Sequence, residues 1–236
     1  MPTLTATAAQ AALHALAQPE RAELLATFFK TGPGEYGEGD QFLGLTMPQQ
    51  RLVARQFRQL PVAEVEKLVQ SPWHEVRSVG LIIWTLQFAK AGPADRRAIY
   101  ERYLANRTFI NNWDLVDITA PHIVGGYLLS QSDRSRLAEL AAEPHLWSQR
   151  MAMVATLAFI RKGQFADTLA LAEQLLPHSH DLIHKAVGWM LREVGKRNEE
   201  ALEEFLHDHR ARMPRTALRY AIERLPPARR QLHMQR

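Results

Sequence analysis

The sequence contains no cysteine. That removes disulfides, thiol nucleophiles and thiolate-bound zinc, and it suits a reducing compartment such as the cytoplasm. Long apolar runs are missing too. The best candidate, "VGLIIWTLQFA" at 79–89, falls well short of the roughly 20 residues that span a bilayer, so no membrane span is expected. No basic stretch leads into an apolar one at the N-terminus, so no secretory signal is expected and the location is read as cytoplasmic. "TGPGEYGEGDQF" at 31–42 is glycine-rich, but no Gly-Lys-Ser/Thr follows it, and Glu35, Glu38 and Asp40 would repel phosphate. It is therefore not a P-loop, and its glycines instead allow tight turns and close backbone approach. Tyr36 in this loop is a candidate for stacking on a nucleic acid or for packing.

What is present is enough for a real core. A chain of 236 residues with 46% hydrophobic and 23% charged side chains suits one globular domain over 1–236 with a solvated surface. Helical periodicity dominates, and no long alternating strand pattern occurs. Helices are predicted near 5–17, 20–30, 47–59, 61–70, 73–89, 94–105, 112–129, 133–142, 147–162, 165–175, 181–196, 198–209 and 214–225, punctuated by prolines and glycines. The stretch 226–236 is left as a basic tail with no assigned helix. "VRSVGLIIW" from Val76, "QRMAMVATL" from Gln149 and "HKAVGWMLR" from His184 share a pattern, each with a cation second. Arg77 to Arg150 is 73 residues and Arg150 to Lys185 is 35, giving a unit of about 36. That period is close to helical arrays of the HEAT and tetratricopeptide type, whose helix pairs bury their apolar faces only by stacking. The fold class expected is all-α, a helical-repeat solenoid with a concave side; a compact irregular bundle is the alternative.

Charge is uneven. The net charge is +4, and from His209 onward eight arginines face one acid, Glu223. A basic end of this kind either meets a polyanion or solubilises the chain.

One carboxylate does not fit its surroundings. In "NNWDLVD" at 111–117, Asn111 or Asn112 is a natural helix cap, and Asp114 in the first turn complements the helix dipole. Asp117 lies beyond that turn among aliphatic residues, on the same face as Trp113 at i, i+4 spacing. Pro121, four residues on, removes the usual donor to the Asp117 carbonyl and should kink or end the helix. A carboxylate beside an indole at a helix irregularity is a candidate site; a salt bridge, with Arg150 as the obvious partner, is the structural alternative. Arg150 either covers apolar surface with its stem or holds a phosphate as a planar fork. Trp189 reads as core, yet Lys185, Arg192 and Lys196 surround it at helical spacing, which suits a nucleic-acid face. His178, His180 and His184 approximate a metal triad without a supporting acid or thiol pattern, so no metal is expected.

Four stretches together carry a resemblance: "KTGPGEYGEGDQFLGL" at 30–45, "INNWDLVD" at 110–117, "WSQRMAMV" at 147–154 and "HKAVGWMLREVGKR" at 184–197. In this order the chain resembles the AlkD family of alkylpurine DNA glycosylases. The resemblance implies a HEAT-like solenoid that holds duplex DNA on a concave basic face and releases cationic N3- or N7-alkylated purines; a monomer without a cofactor is expected. It implies that Asp117 is the catalytic carboxylate, that Trp113 and Trp189 are the active-site tryptophans, and that Arg150 lies near the lesion backbone. Lys185, Arg192 and Lys196, with Tyr36, are the further DNA-binding candidates. The rival is a non-catalytic helical-repeat scaffold for nucleic acid or protein.

Overall fold

In a computed structural model of the protein, residues 4–235 are described. Their one extended pairing is an isolated bridge between Gln41 and Trp73; everything regular besides is helical. The chain divides into two compact units, 1–123 and 124–236.

The first unit holds α1 (Ala6–His14), α2 (Pro19–Phe28), α3 (Met47–Gln56), α4 (Val62–Val69), α5 (His74–Lys90), α6 (Pro93–Ala105) and most of α7 (Trp113–Leu128). Its core is built by α3, α4 and α5, which bury Val53, Val65, Leu68, Val79, Leu81, Ile83 and Trp84, with Phe57 at the end of α3. Thr46 opens α3 with a capping box, its hydroxyl taking the amide of Gln49 while the Gln49 side chain takes the Thr46 amide. By contrast α2 buries no residue of its own. It is held through its ends: the Gln18 amide donates to the Leu43 carbonyl, and Phe29, just past the helix, is buried. Gly44 makes this closeness possible. It has φ +85°, and a Cβ there would lie 2.2 Å from the Gln18 carbonyl oxygen, so no other residue fits.

The second unit holds α8 (Arg136–Ala142), α9 (Leu146–Ala155), α10 (Leu157–Ile160), α11 (Ala166–Leu175), α12 (Asp181–Gly195), α13 (Glu199–His209), α14 (Arg215–Ala221) and α15 (Pro227–Met234). Helix α8 packs on α9, and α12 packs on α9, α11, α13 and α14. The backbones of α12 and α14 approach closely. A Cβ on Gly188 would meet the Ala217 carbonyl oxygen at 2.4 Å, so the residue before Trp189 must be glycine for α14 to lie where it does.

The fold is all-α, and the repeat seen in the sequence corresponds to helix pairs: α4 with α5, α8 with α9, α11 with α12. Arg77, Arg150 and Lys185 each fall in the opening turns of the second helix of a pair. Three local expectations differ from the structure. The helix expected over 147–162 is broken after Ala155: the Thr156 hydroxyl donates back to the Met153 carbonyl at 2.7 Å and competes with the helical ladder. Pro121 lies inside α7, which does not end there. A helix, α15, forms within the stretch read as a tail. Pro227 opens it, Arg229 pairs with Glu199 and Glu203 of α13, and His233 is buried with its Nε2 3.0 Å from Glu203. Among the described residues no helix is long and apolar enough to cross a membrane.

Candidate active site

Helix α7 carries the residues singled out at 111–117. Asn112 sits at its start: its carbonyl accepts the first helical bond, from the Val116 amide, and its side-chain oxygen takes the Trp113 amide at 2.8 Å. Leu115, Val116, Ala120 and Ile123 are fully buried, which fixes one side of α7 in the core. Trp113 and Asp117 are half-buried and follow one another by one helical turn.

Trp113 is braced by rings. Phe29 stacks on it at 5.5 Å between centroids, and Phe28 meets it edge-on at 6.1 Å. Phe28 is 61% exposed, so this edge of the site opens to solvent. Asp117 lies near a buried polar pair, in which the Tyr103 and Thr119 hydroxyls are 2.7 Å apart. Burial pushes the Tyr103 phenol up; the Thr119 hydrogen bond pulls it back, and the negative charge of Asp117 pushes it up again. Asp117, itself half-buried, thus lies near a phenol whose ionisation is disfavoured.

Behind Trp113 lies a buried ionic cluster. Asp40 faces both His74 Nδ1, at 2.8 Å, and the Arg77 guanidinium. His74 Nε2 faces Asp114 of α7, also at 2.8 Å. Arg77 further donates to the carbonyls of Ser71 and Pro72 and to the side chain of Asn111. Glu75 is turned the other way and accepts the amides of Leu43, Gly44 and Leu45 at 2.8–3.1 Å. The loop glutamates cap their own turns, Glu35 on the Gly32 amide and Glu38 on the Gly34 amide. So Asp40 is not a solvated loop acid, and Asp114 does more than complement a helix dipole. Neither His74 nor Glu75 stands out in the sequence. The available signal was a His-Glu pair just after Pro72, at a helix start, with acids in the loop before it.

The cluster sets a pH dependence. Burial disfavours the charged form of His74, but the charges and hydrogen bonds of Asp114 and Asp40 outweigh it and raise its pKa from 6.5 to about 9. For Asp40, burial works against ionisation, yet the hydrogen bond from His74 and the charge of Arg77 hold its carboxyl below the usual range. A raised histidine pKa contributes stability that is complete below about 6.5 and is lost as pH rises through about 9. Melting temperature is expected to fall across that window in the wild type and to fall less in His74→Gln, as scanning calorimetry from pH 6 to 9.5 would read.

The remaining candidates lie elsewhere. Tyr36 is half-buried in the glycine-rich loop of the first unit. In the second unit, Arg150 is buried on α9 and donates to the Leu182 carbonyl in the first turn of α12. Lys185, Trp189 and Arg192 follow one another along α12 and Lys196 is its C-cap, with Trp189 half-buried. Lys185 pairs with Asp181 at 2.9 Å, Arg192 with Glu223, and Lys196 with Glu193 at 2.6 Å. Each pair has at least one partner in contact with solvent, and such pairs are worth little. The three histidines serve the loop before α12: the Nδ1 atoms of His178 and His180 accept the amides of His180 and Leu182, and His184 donates to the His178 carbonyl.

Comparison with known proteins bears on this arrangement. A search of curated proteins gives no match. A solved structure from Enterococcus faecalis, described as a predicted DNA alkylation repair enzyme, superposes with a TM-score of 0.70 at 18% identity, covering 89% of this chain and 97% of that one; at such identity the likeness is one of fold. The profile of the family described as DNA alkylation repair enzyme matches residues 9–225, nearly the whole of a helical chain with a half-buried Trp113–Asp117 pair, and this chain therefore belongs to that family.

Proposed function

We propose that the protein is a monofunctional glycosylase that hydrolyses the N-glycosidic bond of cationic N3- or N7-alkylated purines in duplex DNA. The observation that carries this is Asp117, a half-buried carboxylate one turn from a ring-braced indole, in a chain whose family repairs alkylated DNA. Hydrolysis of an ordinary glycoside needs two carboxyl groups, one to protonate the leaving group and one to meet developing charge on the sugar. A purine alkylated at N3 or N7 is already cationic and leaves neutral, so one carboxylate suffices. Asp117 fills the second of these roles. It stabilises positive charge growing at C1′ and orients the attacking water.

Trp113 and, in the second unit, Trp189 are assigned the indole contacts to the substrate, where a ring face attracts positive charge by roughly 0.5–2 kcal/mol. Arg150 is assigned the lesion backbone, and Lys185, Arg192 and Lys196 the phosphates. The acids now paired with those three cations would give way to phosphate. Tyr36 remains a candidate contact. Each phosphate neutralised adds about −0.9 to the slope of log affinity against log salt.

The test is release of free base. Full-length protein at stoichiometric concentration, incubated with duplex DNA methylated by an SN2 agent, should liberate N3-methyladenine and N7-methylguanine, read by chromatography, and leave an abasic site that hot alkali cleaves. DNA that is bound without liberation of either base would make the protein a binding scaffold instead. Trapping of a covalent protein–DNA adduct by borohydride would contradict the monofunctional assignment.

A further inference from the structure

We propose that His74 is a positioning residue for base release: its two ring nitrogens tie the loop carboxylate of Asp40 to the α7 carboxylate of Asp114, and this fixes the turn from which Trp113 and Asp117 project. The proposal rests on the glycosylase reading above. His74 is 2% exposed, and both nitrogens lie 2.8 Å from a carboxylate oxygen. Two carboxylates are acceptors only, so both nitrogens must donate and the ring must carry both protons. The charged groups facing it are Asp40 from the loop, with Arg77 beyond it, and Asp114 from α7. The charges then balance, two negative against two positive. Loss of the ring proton leaves one negative charge in excess and one carboxylate facing a lone pair.

The same ring reaches the site by a second route. His74 stacks on Phe42 at 4.6 Å and on Phe29 at 5.0 Å, and Phe29 stacks on Trp113 at 5.5 Å. The opening turn of α7 is therefore held at two points, the Asp114 carboxylate and the Trp113 indole, and both lead back to His74. Asp117 follows Trp113 by one turn of the same helix, so a shift of that turn carries the backbone of Asp117 with it. An apolar side chain could fill the space of His74, and such replacements of buried ion pairs commonly stabilise. What an apolar residue cannot do is reach a carboxylate on another helix and set where that helix begins. Catalysis by a single carboxylate is sensitive to this, because a misplacement of about 1 Å costs on the order of 100-fold in rate.

The experiment compares wild type, His74→Gln and Asp114→Asn in full-length protein. Single-turnover release from a duplex with one N7-methylguanine is measured at saturating enzyme, below the melting temperature of each variant, alongside affinity for the undamaged duplex. Both variants should release base about 10- to 100-fold more slowly, with affinity within about 3-fold of wild type. In an Asp117→Asn background, His74→Gln should cost at least about 3-fold less than it does in the wild type, because the carboxylate it positions is gone and only the Trp113 contact is left to lose. Hydrogen exchange of the 112–120 peptide should quicken in both variants. Asp114 is 15% exposed, so its variant cuts the same link nearer the surface should His74→Gln fail to fold. Wild-type protein that releases no base overturns the glycosylase reading and the role of His74 with it. Wild-type release with undiminished rates and unchanged exchange in the folded variants overturns the positioning alone, as does an equal loss in rate and in affinity.

Discussion

Asp117→Asn protein is expected to fold, to bind duplex DNA as wild type does, and to release N7-methylguanine at least about 100-fold more slowly. Asparagine keeps the size of the side chain and removes its charge. If Asp117 meets positive charge that exists only as the glycosidic bond breaks, the loss falls on the transition state and not on binding. Removal of one preorganised group aimed at developing charge typically costs on the order of 100- to 1,000-fold. The non-enzymatic lability of the cationic base leaves a background rate, so enzyme-free DNA must be followed in parallel. Folding is expected to survive because Asp117 is half-buried and the hydrophobic side of α7 is carried by Leu115, Val116 and Ala120. Release near the wild-type rate under single-turnover conditions would remove Asp117 from the mechanism.

Glu75→Ala is expected to destabilise the first unit strongly. Glu75 is 1% exposed, and its two oxygens accept three consecutive backbone amides, those of Leu43, Gly44 and Leu45. These amides lie in a segment of no regular structure, so nothing else accepts from them once the carboxylate is gone. A buried donor left without an acceptor costs about 1–3 kcal/mol. Three such donors, less what relaxation and entering water recover, amount to a loss on the order of 3 kcal/mol. A lower urea midpoint with an unchanged slope would report it. The same segment precedes α3 and holds α2 through the bond from the Gln18 amide to the Leu43 carbonyl, so its loosening should also reach Phe28 and Phe29 beside Trp113. Glu75→Gln keeps one acceptor oxygen and should be milder. A midpoint for Glu75→Ala within about 0.5 kcal/mol of wild type would mean that the segment is held by packing alone.

The two expectations rest on different kinds of information. Asp117 is visible from local pattern. An acid among Leu115, Val116, Ile118 and Ala120, past the turn where the helix dipole could use it, needs a reason that neighbouring residues do not supply. Trp113 shares its face by helical geometry alone. Glu75, His74 and Asp40 are invisible in the same way of reading, because their partners are 30–40 residues distant. Asp40 in a glycine-rich loop looks like a solvated acid until His74 and Arg77 are found against it. Helix α15 escaped for a related reason: its prolines and arginines suggest an end, and the ion pairs that hold it come from α13, 26–30 residues earlier.

Composition and periodicity alone determined that this chain is helical and where most of its helices begin and end, and they pointed to a repeat of helix pairs and to Asp117 as an acid among aliphatic residues. Those properties depend on contacts within three or four residues, which a linear pattern contains. Only the tertiary structure decided which acids are buried against which cations, that the loop at 31–45 is anchored to α5 through Glu75, and that the start of α7 is tied through His74 to Asp40. Such contacts join residues whose separation along the chain carries no period, and they form only once burial has made an unpaired charge or amide too costly to leave.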